Sequence, residues 1–149
     1  LGAVVSKDHM NKVLDHIALA KAEGGTVLCG GHRVELPGAL SGGWYIAPTV
    51  IEGLGPVCRT NQEEIFGPVV TLQAFDTEAE ALELANATPY GLASVIWTKD
   101  VQRTHRVARA LQAGIVWVLS HYSTPASGWS SGQASGCHCS VKSSMVVAQ

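Results

Sequence analysis

The amino-acid sequence predicts an α/β fold, and three observations carry that prediction. Residues 69–119 alternate between short apolar runs and amphipathic stretches, in the order strand, helix, strand, helix, strand. The apolar runs at 69–75, 92–98 and 115–119 read as strands, and the first, near-continuous and β-branched, has the pattern of one covered on both faces. The links between them are short, and strands joined through helices in this way lie parallel. A mostly parallel sheet with crossover helices is therefore expected.

Each element has a local cause. Ser6 is suited to cap a helix, and Met10, Val13, Leu14, Ile17 and Ala18 follow at a spacing that puts one apolar stripe on it. Gly24-Gly25 stops that helix. Thr26-Val27-Leu28-Cys29 reads as a short strand closed by Gly30-Gly31, and 37–43 as a loop. In the β-rich run 44–51, Pro48 lacks an N–H and restricts any strand to an edge or a bulge. After the strand at 69–75, Thr77 and Glu80 form a capping box for a second helix, with Ala81, Leu82 and Ala85 inward. Pro89 and Gly91 break the chain before the strand at 92–98. Lys99-Asp100 then turns into a helix over 101–112 with Val101, Val107, Ala108 and Leu111 inward. Gly114 closes it, and 115–119 is a further buried strand. The segment 120–149 holds nine Ser and no acid, and is expected to be mostly irregular.

Composition narrows the function classes. With 149 residues and 46% hydrophobic content, the chain can bury an apolar core. Its net charge of -2 lacks the basic excess of a non-specific nucleic-acid binder. No apolar run is long enough to span a bilayer, and the start shows neither an initiator Met nor a signal-peptide pattern. All acids lie at or before Asp100, so 101–149 carry only Arg103, Arg106, Arg109 and Lys142 as fixed charges. The four cysteines, Cys29, Cys58, Cys137 and Cys139, make no dense framework, which points to reduced thiols and a cytoplasmic setting.

The stretch richest in chemistry is Gln62-Glu63-Glu64-Ile65-Phe66-Gly67-Pro68. Two carboxylates, an aromatic ring and a Gly-Pro turn stand directly before a strand, and ligands of α/β sheets gather at strand ends, although usually at carboxyl ends. A carboxylate accepts hydrogen bonds from both hydroxyls of a ribose, and a ring offers a flat wall to a planar base. The same residues also fit a solvated acidic loop with Phe66 as a core anchor. The histidines at 9, 16, 32 and 105 fall on helix polar faces or loops, where a solvated ring is expected, while Trp44 and Trp117 fit a core.

The run Glu63-Glu64-Ile65-Phe66-Gly67-Pro68 resembles the E-E-x-F-G-P element of the aldehyde dehydrogenase superfamily. Five further pieces fall in that family's order across residues 1–118: Val5-Ser6-Lys7, Gly30-Gly31, Tyr45-Ile46-Ala47-Pro48-Thr49-Val50, Ala85-Asn86 with Tyr90-Gly91-Leu92-Ala93, and Gly114-Ile115-Val116-Trp117-Val118. Asp76, the Gly-Pro-Val-Cys-Arg run at 55–59 and His105-Arg106-Val107-Ala108 look most like the aminomuconic or hydroxymuconic semialdehyde branch. The resemblance implies NAD-dependent (or NADP-dependent) oxidation of an aldehyde to an acid, in a homo-oligomer acting on a small molecule and not on nucleic acid or membrane. A Cys thiolate attacks the carbonyl in that chemistry, and a Glu-activated water releases the acid. By matching position, Glu64 holds the nicotinamide ribose and Phe66 contacts or orients the ring.

The same resemblance implies absences. The family's nucleophilic Cys, general-base Glu, oxyanion-hole Asn and dinucleotide-binding half precede the segment present here, so no catalytic residue is assigned and the 149 residues alone are expected to be inactive. Residues 1–119 are read as part of the catalytic domain and 120–149 as a divergent Ser-rich tail. There Leu119 stands where the family has Asn, and P-F-G-G-x-K-x-S-G is missing. Cys137-His138-Cys139 with His121 is a poor match to structural zinc spacing, and no metal is assigned. Two other classes remain open: a non-catalytic product that docks on complete subunits, and a small module holding a metal through the Cys/His tail.

Overall fold

A computed structural model describes residues 1–119 and 143–147. Helix α1 (Lys7–Ala22) begins where expected, with the Ser6 hydroxyl accepting the His9 N–H at 3.1 Å. It ends on a Schellman arrangement: Gly24 N–H donates to Lys21 O and Gly25 N–H to Ala20 O, with Gly24 at φ +94°. Only glycine adopts that backbone without strain. The buried stripe is Met10, Val13, Ile17 and Ala20; Leu14 is half-buried, and Ala18, expected inward, is exposed.

By their contacts the residues group into two units, Leu1–Phe75 with Ala87–Pro89, and Asp76–Asn86 with Tyr90–Gln149. In the first unit α1 is followed by β1 (Thr26–Cys29), β2 (Arg33–Val34), a 3-10 turn at Gly38–Leu40, β3 (Tyr45–Ile46), β4 (Thr49–Glu52), α2 (Arg59–Gln62) and β5 (Val69–Leu72). One sheet has the order β1-β4-β5, with β1 antiparallel and β5 parallel to the central β4; β2 and β3 pair as a separate antiparallel ribbon. Pro48 falls between β3 and β4, so the strand after it can be central. Met10, Val13, Ile17, Ile46 and Ile65 form one buried cluster, with Trp44 packed on it, and Ala20, Ile51 and Leu54 another.

The second unit contains α3 (Glu78–Ala85), β6 (Ala93–Trp97), α4 (Val101–Ala110), β7 (Ile115–Leu119) and β8 (Ser143–Val147). Its sheet, β7-β6-β8, is parallel throughout, and β6-α4-β7 is the expected crossover. Thr77 caps α3, but Glu80 reaches back to the Asp76 N–H instead of the Thr77 one. The Asp100 carboxylate caps α4 through the N–H groups of Gln102 and Arg103. Ile96, Val107, Ala81 and Leu111 are buried.

The α/β class and its parallel pairs agree with the sequence; four details differ. β5 ladders with β4, so the alternating run 69–119 is divided between two sheets. β5 is an edge strand with Val70 and Leu72 exposed, and β7 exposes Ile115, Trp117 and Val118, so neither is covered on both faces. Val101, at the first position of α4, points to solvent. β8 lies inside the tail expected to be irregular, where it finds β6 as a partner.

Candidate cofactor-binding site

The Glu-Glu-Ile-Phe-Gly-Pro segment leaves a short helix that is fastened from outside. Cys58, at the start of α2, makes no side-chain cap. The Glu23 carboxylate, from the end of α1, takes its place and accepts from Arg59 N–H at 2.8 Å, Thr60 N–H at 3.2 Å and the buried Thr60 hydroxyl. That hydroxyl is the largest of the influences holding the Glu23 carboxyl below its ordinary range. Asn61 donates to Gly55 O, and the Gln62 amide donates to Pro56 O and Ala87 O.

The two adjacent carboxylates then part company. Arg59 donates to Glu63 through Nε at 2.7 Å and Nη2 at 3.1 Å, and this lowers the Glu63 carboxyl and raises the Arg59 guanidinium. The half-buried Glu64 has its carbonyl 3.4 Å from Lys12 Nζ, but no side chain among the described residues pairs with its carboxylate. Two identical groups thus differ in availability: Glu63 is neutralised, and Glu64 keeps its acceptor capacity for an added donor.

Ile65 and Phe66 also separate. Ile65 is the core anchor, buried against Met10, Val13, Ile17 and Ile46. Phe66 is 56% exposed, which removes the reading of its ring as the anchor. Its φ of +57° makes it the one non-glycine residue of left-handed backbone among those described. A bulky residue held there stores about 1–2 kcal/mol, and such strain persists where neighbours over-determine it. The neighbours are visible. His9 Nε2 lies 2.6 Å from Phe66 O, with the two rings edge to face at a centroid separation of 6.0 Å. On the other side Gly67 packs so closely on α1 that a Cβ there would meet Val13 Cγ2 at 2.6 Å.

His9 and Lys12 were not singled out for this site from the sequence, although the three-residue spacing between them, on a capped helix, places them on one face. His9 is thus engaged by the loop. His16 also departs from a freely solvated ring, its Nδ1 being buried without a hydrogen-bond partner. Burial raises the Cys58 thiol, which keeps it protonated at neutral pH. No helix among the described residues is long and apolar enough to cross a membrane, and no group of three or more His, Cys, Asp or Glu among them could hold a metal. Cys137-His138-Cys139 and His121 lie outside the described residues.

A carboxylate without a side-chain partner among the described residues, two positions before an exposed ring, suits a nicotinamide nucleoside, whose ribose offers two hydroxyl donors and whose base offers a flat face. The chain as a whole is similar to known proteins. The Aldehyde dehydrogenase family matches residues 1–142. The chain is 48% identical over 126 residues to a fluoroacetaldehyde dehydrogenase of Streptantibioticus cattleyicolor, covering 85% of this chain and 25% of that protein. It is 48% identical over 121 residues to a 2-hydroxymuconic semialdehyde dehydrogenase of Pseudomonas sp. (strain CF600), covering 81% and 25%. A solved structure of P. syringae indole-3-acetaldehyde dehydrogenase, a mutant in complex with NAD+ and IAA, superposes with a TM-score of 0.75 at 42% identity, over 83% of this chain and 24% of that one. The chain spans about a quarter of the length of these curated relatives. Matched in sequence order and in fold, the chain belongs to the aldehyde dehydrogenase family.

Proposed function

We propose that this chain forms the C-terminal part of the catalytic domain of an NAD+-dependent aldehyde dehydrogenase, with Glu64 holding the nicotinamide ribose and Phe66 lying against the ring. The observation that carries this is the contrast between the adjacent carboxylates, Glu63 closed by Arg59 and Glu64 open beside the exposed Phe66. When bound, the cofactor accepts the hydride released by the aldehyde carbon. Glu64 fixes the sugar from which the nicotinamide projects, and Phe66 limits how the ring can tilt. Both act by orientation, which counts in the rate as well as in binding.

The substrate is an aldehyde, and we assign it to the muconic semialdehyde class. Asp76, the run at 55–59 and His105-Arg106-Val107-Ala108 support that assignment. The nucleophile and the dinucleotide-binding half belong to the remainder of such an enzyme, so the 149 residues alone are inactive, with 1–119 the catalytic-domain part and 120–149 a Ser-rich tail that diverges although the family match runs on to residue 142. Cys29 and Cys58, both free thiols, are in keeping with a cytoplasmic location, and the complete enzyme is a homo-oligomer.

The test compares neighbouring variants in the complete dehydrogenase. Glu64→Gln raises KM for NAD+ by on the order of tenfold through loss of a charge-assisted hydrogen bond, with KM for the aldehyde unchanged. Glu63→Gln leaves KM for NAD+ within about twofold, because its carboxylate is already spent on Arg59. Equal effects of the two variants, or none from Glu64→Gln, would remove Glu64 from the cofactor site.

A further inference from the structure

We propose that His9 is a positioning residue for Phe66, acting on the cofactor through that ring; the proposal rests on the cofactor reading above. Phe66 holds a backbone conformation that a bulky side chain avoids, and it does so while largely exposed. Burial of its own ring therefore does not hold it there. One face of α1 does. His9, Lys12 and Val13 recur at helical spacing and meet the loop at Phe66 O, Glu64 O and Gly67 in turn. Val13 acts by contact with Gly67, and the Lys12 contact is long and exposed. His9 makes the only short polar contact of the three.

The chemistry of that contact is directional. A carbonyl oxygen only accepts, so His9 Nε2 carries the proton, as the Nε2–H tautomer or as imidazolium. The His9 backbone is itself fixed, because its N–H donates to the Ser6 hydroxyl that caps the helix. One residue thus connects a rigid helix start to the strained peptide, while its ring meets the Phe66 ring edge to face. Without the donor, Phe66 can relax toward an ordinary backbone angle, and its ring turns away from the place it holds beside Glu64.

The experiment uses the complete dehydrogenase and four variants: His9→Leu, His9→Gln, Phe66→Ala and His9→Leu with Phe66→Ala. His9→Leu removes the donor and the ring. It is expected to raise KM for NAD+ roughly threefold to tenfold, the worth of one hydrogen bond, with KM for the aldehyde and the thermal midpoint unchanged. His9→Gln keeps an amide donor on the same helix face and restores most of the loss. In the Phe66→Ala background, His9→Leu has no further effect, because the residue it positions is gone. A His9→Leu effect of the same size in that background would overturn the proposal, as would equal losses for NAD+ and aldehyde together with a lowered midpoint. If Phe66→Ala and Glu64→Gln both leave the NAD+ parameters untouched, the cofactor reading fails and the proposal falls with it. If they alter them and His9→Leu does not, only the role of His9 fails.

Discussion

Val13 leaves Gly67 no room for a side chain: a Cβ built on Gly67 would stand 2.6 Å from Val13 Cγ2 and 2.9 Å from Cγ1. Gly67→Ala is therefore expected to cost about 1–3 kcal/mol, the range of overpacking in a closed core. Val13→Ala opens the space, so the double variant loses less than the two single losses added together. Urea unfolding of the four proteins measures the coupling; simple additivity would show that the two residues do not meet.

The backbone of Phe66 makes an unusual pair of substitutions informative. Phe66→Gly removes left-handed strain of about 1–2 kcal/mol while giving up a ring that is largely in water, so stability stays within about 1 kcal/mol of the parent. Phe66→Val keeps the strain and adds a branch at Cβ, and is the less stable of the two. Thermal unfolding orders the variants. A Phe66→Val protein as stable as Phe66→Gly would argue against the positive φ.

Acid stability follows from four carboxylates. Glu23, Glu63, Glu78 and Asp100 all have folded-state pKa values below their ordinary ones, set chiefly by Thr60, Arg59, Arg106 and the Arg103 N–H respectively. A lowered folded value means that the unfolded chain takes up protons first as pH falls. The stabilisation is complete above the ordinary carboxylate range near about pH 4, and is lost as pH drops through the lower folded values. Thr60→Val removes the main cause at Glu23. The stability gap between that variant and the parent, present at pH 7, should narrow below about pH 4. A pH-independent gap would place the effect of Thr60 in packing alone.

The start of α1 supports the site as well as the helix. Ser6→Ala deprives the His9 N–H of its acceptor and should cost about 1 kcal/mol. Hydrogen exchange at the His9 amide should accelerate with it. Ser6→Asp, an equally good cap, should restore both.

Local chemistry explains what could be read without coordinates. Ser6, Thr77 and Asp100 cap their helices because short polar side chains beside an apolar stripe have little else to do, and Gly24 stops α1 because the next backbone angle is left-handed. Burial was less legible, since it depends on what lies across a face. Val69, Val70 and Leu72 look alike in sequence to a strand covered twice, yet β5 is an edge. Trp117, on the outer strand β7, is 59% exposed. At the site, residue type marks Glu63, Glu64 and Phe66 alike, and only the family resemblance singles out Glu64 from Glu63. The physical signal that separates them is Arg59, four residues before Glu63, a spacing that favours an ion pair. His9 was out of reach, because its partner is a backbone carbonyl distant in sequence and no periodicity reports such a contact.

The pairing of β8 with β6 bears on the order in which the second sheet can assemble. β6 meets β7 after a single helix, whereas its other edge waits for β8, which follows only after α4, β7 and the whole stretch 120–142. Contacts between distant segments close slowly, so during synthesis one side of β6 is zipped early while the opposite row of N–H and C=O groups stays open. For that interval the nascent chain carries an unsealed parallel edge, open until residues 143–147 arrive.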